Sequence, residues 1–279
     1  SLHSKILPLD DDIILYPGHG AGSACGKNIS KKTFDTLQSQ KVNNYALDKN
    51  LSKKNFSEKL MDGLMPCPEY FPSNVHLNKN GYKDVEEIIK KSFNPLSSSE
   101  FEYLSKKNCI ILDVRSKLDF SRSHIPQSLF IGLEGNFAPW VGSVIGDIKT
   151  QILLVTEKNK EIETIKRLAR VGFDNILGYL SDGIEGWVKN GRKIDSIKNV
   201  SADEILSKPL EIIDVRTPAE YLKKHVKSSI NLPLNNYKKN KLKTLSNNPF
   251  YVHCQSGYRS LIYLSILKKS GIHNGLNVK

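Results

Sequence analysis

The chain has 279 residues, of which 39% are hydrophobic and 25% charged, and this is typical of a soluble globular protein with two or three domains. Its net charge is +12, of which residues 201–279 carry +8, with 13 Lys and Arg against 5 Asp and Glu. No run approaches about 18 apolar residues, no signal peptide is recognisable, and four cysteines are too few for a disulfide scaffold, so a cytoplasmic protein without a membrane span is expected.

The first hundred residues predict short elements. Residues 11–16 (Asp-Asp-Ile-Ile-Leu-Tyr) predict a strand that ends at a tight Pro-Gly-His-Gly loop. Residues 31–65 predict amphipathic, lysine-rich helix, and a proline-punctuated loop follows at 66–72. A short helix is expected at 84–91, and residues 94–99 (Asn-Pro-Leu-Ser-Ser-Ser) are the best candidate for a linker.

The rest of the chain contains an internal repeat. Ile-Leu-Asp-Val-Arg at 111–115 recurs as Ile-Ile-Asp-Val-Arg at 212–216, and a histidine follows each Asp by eleven residues, at His124 and His225. Because further matches occur in the same order, the chain contains two copies of one domain.

Each copy alternates strands with helices. Apolar strands are predicted at 109–112 and 152–155 in the first copy, and at 210–213 and 250–252 in the second. Helical periodicity follows the later strand of each pair and ends near Gly172 and Gly271. This alternation predicts an α/β fold with a mostly parallel sheet that is covered on both faces.

The strongest chemical signal is the segment 252–260, Val-His-Cys-Gln-Ser-Gly-Tyr-Arg-Ser. It places Cys254 after a strand, in a loop that contains Gly257, and begins a helix at about Arg259. Backbone N–H groups in such a loop, and the positive end of the helix, favour a thiolate. Arg259 would add a positive group for an anionic ligand. A structural cysteine at a strand end is the weaker alternative.

The repeat and this loop resemble the rhodanese family over residues 99–195 and 200–279. In that family, a cysteine at the position of Cys254 accepts a sulfane sulfur as a persulfide and passes it to a nucleophile, without a cofactor. The resemblance implies that Cys254 and Arg259 are catalytic. It also implies that the other loop residues bind substrate, namely Gln255, Ser256, Gly257, Tyr258 and Ser260. Asp214 and Arg216 would support the site, and an ordinary strand-end ion pair is an equal alternative for them.

The first copy lacks the nucleophile. Thr156 falls where Cys254 lies in the second copy, and no Gly or Arg occupies the matching loop positions. A hydroxyl is a far poorer sulfur carrier than a thiolate, so this copy resembles an inactive rhodanese. Cys109 is expected to be an inert core residue.

Residues 16–23 (Tyr-Pro-Gly-His-Gly-Ala-Gly-Ser) resemble the late metal-ligand motif of the metallo-β-lactamase superfamily. With residues 25–28 and 70–75, they resemble its persulfide dioxygenase branch, in which such a domain precedes one or two rhodanese domains. The resemblance implies that His19 binds Fe(II) in a parent protein, where the iron would oxidise a thiol-bound persulfide to sulfite. Cys25 would contact that persulfide or be an inert small residue, and Cys67 is expected to be a loop thiol without a role.

This chain cannot complete that metal site. None of its seven histidines forms a His-x-His pair, whereas an open metal site needs about three protein ligands. We therefore expect a fragment with three parts: the C-terminal part of a metallo-β-lactamase αββα domain (1–95), an inactive rhodanese-like domain (96–198), and an active rhodanese domain that is incomplete at its C-terminus (199–279).

The expected function is persulfide processing in sulfur metabolism or sulfide detoxification. Sulfite from the iron site of the parent would accept sulfur from the Cys254 persulfide and give thiosulfate. The alternative is a zinc-dependent hydrolase, a thioesterase of the glyoxalase II type with accessory rhodanese domains. A third hypothesis is a docking module whose lysines, among them Lys238, Lys239 and Lys241, meet an acidic protein.

The expected partners are small sulfur anions and low-molecular-weight thiol persulfides. Nucleic acid is not expected, because no aromatic ladder or zinc-finger spacing accompanies the lysines. No membrane partner is expected, and the sequence leaves the formation of a homo-oligomer open.

Overall fold

A computed structural model describes residues 2–18, 32–61, 70–206, 211–238 and 248–279 of the chain. The chain divides into two compact units, Ser1–Pro66 and Cys67–Lys279. Among the described residues, no helix is long and apolar enough to cross a bilayer.

The first unit contains short elements. A π-helix spans Leu2–Ile6, and strand β1 (Ile14–Leu15) pairs antiparallel with β2 (Asp35–Thr36), so the predicted strand is confirmed at its end. In the segment 31–65, which was predicted to be helical, the described residues form two short helices, α1 (Leu37–Asn43) and α2 (Lys53–Met61). They are separated because Asn44 ends α1 and caps a 3-10 turn, with its side chain accepting from the N–H of Ala46.

The second unit opens with two helices, α3 (Phe71–Asn80) and α4 (Val85–Ser92). The helix predicted at 84–91 is confirmed, with Asp84 as its N-cap. The loop predicted at 66–72 ends earlier than expected, because α3 begins at Phe71 and Pro72 fits its first turn. Residues 62–69 lie outside the described part of the chain.

The segment expected to be a linker is part of the first sheet. Strand β3 (Pro95–Leu96) pairs parallel with a neighbouring strand, and a proline is tolerated there because β3 lies at the sheet edge. Ser97 then starts helix α5 (Ser98–Ser105) through a capping box with Glu100. The linker prediction for 94–99 was therefore wrong.

The first copy forms a parallel five-stranded sheet with the order β3-β7-β6-β4-β5. Its other strands are β4 (Ile110–Asp113), β5 (Leu129–Phe130), β6 (Ile152–Val155) and β7 (Ile176–Leu180). Its other helices are α6 (Lys117–Arg122), α7 (Phe137–Ile145), α8 (Glu161–Ala169) and α9 (Gly183–Lys189).

The second copy repeats this topology with the order β8-β12-β11-β9-β10, again all parallel. Its strands are β8 (Asn199–Val200), β9 (Glu211–Asp214), β10 (Ile230–Asn231), β11 (Phe250–His253) and β12 (Gly275–Val278). Its helices are α10 (Ala202–Leu206), α11 (Pro218–Lys223) and α12 (Tyr258–Lys269), with a 3-10 turn at Leu234–Asn236. The predicted repeat and the predicted parallel α/β fold are confirmed.

Helix α12 joins the two copies. It packs against β11 and β12 of its own sheet and also against β5 of the first copy. Residues 260–268 are all buried as a result, including the polar residues Ser260, Ser265 and Lys268. The side chain of Ser265 accepts the N–H of Phe130 at 3.1 Å, and Lys268 makes a buried ion pair with Asp195 at 2.7 Å. Residues 254–257, called the active loop below, lead into α12, and this helix contacts both copies.

Candidate active site

An ion pair lies at the carboxyl end of the second strand of each copy, β4 in the first copy and β9 in the second. Asp214 is fully buried, and Arg216 donates Nε to both of its carboxylate oxygens at 3.0 Å. Arg216 also donates Nη2 to the carbonyl of Lys224 at 2.7 Å, which ties the strand to the end of α11. Asp113 and Arg115 make the same contacts in the first copy. Because the first copy has this pair too, although it has no cysteine at the position of Cys254, the pair forms independently of the thiol.

Cys254 lies at the carboxyl end of the central strand β11. Gly257 has a φ of 77°, the left-handed conformation that glycine favours, and it turns the chain into α12. The sulfur lies 3.6 Å from Oγ of Ser260, and the backbone N–H groups of Ser256 and Ser260 donate to it. The loop therefore surrounds the sulfur with hydrogen-bond donors.

These contacts change the acidity of the thiol. Burial raises the pKa of Cys254, but hydrogen bonds from Ser260 and Ser256 and the positive charge of Arg259 outweigh burial, so the pKa is lowered. By contrast, burial raises the pKa of Cys109, which lies just before β4 and donates its Sγ–H to the carbonyl of Leu104. The thiolate is therefore favoured at Cys254 over Cys109.

The two Nη groups of Arg259 are already paired with a carboxylate, rather than free for an anionic ligand as the sequence predicted. Its Nη1 and Nη2 donate to the two carboxylate oxygens of Glu220 at 2.7 and 2.8 Å. Glu220 is the third residue of α11 and also forms a capping box with Thr217. The hydrogen bonds from Arg259 lower the pKa of Glu220 to about 2, so the pair stays ionised. Glu220 was missed from the sequence, although the Thr-x-x-Glu spacing marks it as a capping residue.

The other predicted loop residues have different surroundings. Gln255 and Ser256 are exposed at the loop tip, whereas Gly257 and Ser260 are buried. Tyr258 is half-buried and donates its hydroxyl to the carbonyl of Gly132 in the first copy at 2.7 Å. Its pKa is raised by burial, so it is a neutral donor. The phenol therefore holds the loop against the first copy.

The first copy has no thiol at the equivalent position. In the sheets, Val155 pairs with Asp113 as His253 pairs with Asp214, so Thr156 corresponds to Cys254. The carboxylate of Glu157 accepts the N–H of Ser116 at 2.9 Å and adds negative charge next to Thr156. That this copy carries no sulfur stays a prediction.

A cleft of about 310 Å³ lies beside the active loop, between the two copies. Lys117 of the first copy lies in its wall and donates Nζ to the carbonyl of Ser256 at 2.7 Å. Glu134 of the first copy and Tyr258 also line the cleft. The first copy thus places the positive charge of Lys117 against the loop that follows Cys254. The sequence alone did not indicate this contact.

Several sequence-based predictions fall on residues that the structure does not describe. These are His19, Cys25, Cys67, Lys239 and Lys241. Within the described ranges, no three side chains of His, Cys, Asp or Glu come together as a metal site. Their assigned roles stay predictions.

A thiol-reactivity measurement tests the electrostatics of the site. We expect the rate of iodoacetamide alkylation to rise with pH through each thiol's pKa, and to reach half its maximum at a lower pH for Cys254 than for Cys109. Peptide mass spectrometry after timed labelling measures both sites in one sample. Unfolding in guanidinium should bring the two profiles together, and coincident profiles in the native protein would contradict the lowered pKa.

The chain is similar in sequence to known bacterial proteins. The protein named "Putative sulfur carrier protein YrkF" from Bacillus subtilis (strain 168) is 31% identical over 106 residues, which cover 36% of this chain and 55% of that protein. The chain therefore spans about half the length of the curated relatives it matches.

A comparison with solved structures matches parts of two further proteins. The thiosulfate sulfurtransferase from Pseudomonas aeruginosa is 16% identical, with a TM-score of 0.33, and the match covers 70% of this chain and 45% of that one. A metallo-β-lactamase from Staphylococcus aureus subsp. aureus COL is 25% identical, with a TM-score of 0.46, and the match covers 63% of this chain and 47% of that one.

The family match covers both copies. The rhodanese-like domain family matches residues 98–190 and 199–279, which together make up more than half of the chain. The chain belongs to the rhodanese-like domain family.

Proposed function

We propose that this chain is a sulfurtransferase that carries sulfane sulfur as a persulfide on Cys254. The proposal rests on the hydrogen-bond donors and the positive charge that lie next to the Cys254 sulfur. The Cys254 sulfur lies at the end of β11 and receives the N–H groups of Ser256 and Ser260, with the charge of Arg259 nearby. Such a pocket favours the thiolate of Cys254, which is the nucleophile that the proposed transfer needs.

The proposed reaction balances without an added oxidant. The Cys254 thiolate attacks the outer sulfur of a donor such as thiosulfate, a new S–S bond forms, and the donor's own S–S bond breaks, so that sulfite leaves with the electron pair. A nucleophile, such as a thiolate, cyanide or sulfite, then attacks the terminal sulfur of the persulfide. The Cys254 thiolate leaves in that step and the site is restored.

Detection of the intermediate tests the proposal directly. After incubation with thiosulfate and removal of the excess, we expect the intact protein to gain the mass of one sulfur atom, located on the Cys254 peptide. Adding cyanide should remove the adduct and release thiocyanate. Modification of Cys109 alone, or a mass that does not change, would overturn the proposal.

The first copy is proposed to help bind the anionic donor. Lys117 is exposed on one side and contacts the carbonyl of Ser256, so its charge lies at the entrance to the loop. We expect Lys117→Ala to raise the KM for thiosulfate about 3–10-fold with little change in kcat, because one partly solvated charge contributes about 1 kcal/mol. Lys106→Ala, a change to an exposed lysine of the same copy that pairs with Glu102, is the matched control. A fall in kcat at unchanged KM would contradict this role.

A finer proposal concerns the parent protein, in which iron-dependent persulfide oxidation would supply sulfite as the acceptor for the Cys254 persulfide. Its support is the resemblance of residues 16–23 to a metal-ligand motif. The described residues do not fit a metal, since they bring no three ligands together, so we derive no step through iron or zinc. Metal analysis of the full-length parent separates one iron from the two zincs of a glyoxalase II-type hydrolase.

A further inference from the structure

A chain of buried polar side chains runs from Cys254 into the first copy. Behind the sulfur, the Ser260 hydroxyl donates to Oδ1 of Asn277 at 2.6 Å. Asn277 donates Nδ2 to Oδ1 of Asn199 at 2.7 Å, and Asn199 donates Nδ2 to Oγ of Ser121 at 2.8 Å. Ser260, Asn277 and Ser121 are at most 2% exposed. Burying this many polar groups is unfavourable unless all of them are paired, and each link here has a partner.

The copy without the thiol lacks this chain. In the sheet pairings, Asn277 lies beside Val252 and Asn199, whereas the equivalent Tyr179 lies beside Leu154 and Pro95. An aromatic residue and a proline thus occupy the positions equivalent to Asn277 and Asn199. Since the two copies share one fold, the fold itself does not require the polar chain, and its presence follows the presence of Cys254.

The hydrogen bonds that link Ser260, Asn277, Asn199 and Ser121 can be donated in either of two directions, with the same distances between the heavy atoms. In the direction described above, the Ser260 hydroxyl gives its hydrogen to Asn277, so it can only accept a hydrogen bond from the thiol. If both amide groups turn over, Asn277 donates to Ser260 and Asn199 donates to Asn277, and the Ser260 hydrogen becomes available to the sulfur. Ser121 then donates to Asn199 rather than to the carbonyl of Leu118, which it contacts at 2.9 Å. The first direction suits a neutral thiol and the second suits a sulfur anion.

We propose that Asn277 and Asn199 are positioning residues that act through Ser260, and that they orient its hydroxyl to donate to the Cys254 sulfur when that sulfur is a thiolate. The inference deepens the proposed function and rests on it, because it concerns the same sulfur. A serine hydroxyl has one hydrogen, so it cannot donate to the sulfur and to Asn277 at once. When the Asn277 amide donates to the Ser260 oxygen instead, the hydroxyl hydrogen can be donated to the sulfur. The network reaches Ser121, so the inactive copy takes part in setting the state of the active one.

The test is the pH profile of iodoacetamide alkylation at Cys254, which does not require sulfur transfer. We expect Ser260→Ala and Asn277→Leu each to lower the alkylation rate at pH 7 about tenfold, by moving the profile to higher pH. Asn199→Leu, at a half-buried position farther from the sulfur, should lower it less, about 2–3-fold. The charged groups around the sulfur, Arg259 with Glu220 and His253 with Asp214, are unchanged in all three variants.

A double variant distinguishes a positioning role of Asn277 from a general loss of structure. In the Ser260→Ala background, Asn277→Leu should add less than about a twofold change, because the amide acts through the hydroxyl that is already missing. Ser265→Ala is the matched control, since Ser265 is a fully buried serine of the same helix whose bonds go to Phe130 and Ile262. It should leave the profile in place.

Two outcomes would overturn the inference: an unchanged profile in Asn277→Leu and Asn199→Leu, or an Asn277 effect that persists in full without the Ser260 hydroxyl. If Asn277→Leu fails to fold, Asn199→Leu replaces it, by itself for the first outcome and in the Ser260→Ala background for the second. Loss of persulfide formation with the expected alkylation profiles would refute the proposed function and leave the positioning role standing.

Discussion

Replacing Cys254 with serine should reduce sulfur transfer from thiosulfate to cyanide by about 10³-fold or more, to the background rate, because a neutral hydroxyl cannot replace a thiolate as the sulfur carrier. The hydroxyl is close in size to the thiol, and the donors around the position come from backbone and Ser260, so the fold should be unaffected. The measurement is thiocyanate release at saturating thiosulfate, with thermal unfolding of each variant as the check on structure.

The matched control is Cys109→Ser. Cys109 is half-buried, and burial raises its pKa, so it should contribute no thiolate at neutral pH. We expect this variant to keep its full turnover. If Cys254→Ser retained turnover while Cys109→Ser lost it, the carrier would have been assigned to the wrong copy.

The backbone around Cys254 was predictable from the sequence because it depends on local patterns. An apolar run, a glycine and a helical period place β11, the Gly257 turn and α12, and the structure has them at Phe250–His253, Gly257 and Tyr258–Lys269. The correspondence of Thr156 with Cys254 was predictable for the same reason. The repeat fixes which residues are equivalent, and the sheet pairings preserve that equivalence.

The side-chain partners at the site were not predictable in the same way. Glu220 reaches Arg259 across 39 positions, and Asn199 reaches Asn277 across 78, so sheet register and helix docking bring them together rather than any local pattern. One local signal of Asn277 was available, since it is a polar residue between the apolar Leu276 and Val278. The misassigned linker has a related cause. Proline and serine mark loops in general, but at a sheet edge a proline is allowed, and a serine before a helix is a cap.

The two copies share their strand-end ion pair, and their comparison separates stability from chemistry. Removing Asp214 leaves the guanidinium of Arg216 without its carboxylate, at a place where the removed side chain was fully buried. Loss of one partner from a buried pair typically costs about 3–5 kcal/mol. The Arg216 side chain is 18% exposed and regains some water, so we expect Asp214→Ala to lower the free energy of unfolding by about 2–4 kcal/mol. Denaturant unfolding followed by circular dichroism measures this change.

Asp113→Ala is the equivalent variant in the inactive copy and should cost at least as much, because Arg115 is more deeply buried than Arg216. Its effect should stop at stability. Asp214 also lies 3.5 Å from Nε2 of His253, the residue before Cys254, and that nitrogen has no hydrogen-bond partner among the described residues. At temperatures where both variants are folded, Asp214→Ala should therefore lower sulfur transfer several-fold, whereas Asp113→Ala should leave it unchanged. Equal activity losses in the two variants would mean that the ion pair acts only through the stability of the whole unit, and that Asp214 has no separate influence on the loop that holds the thiol.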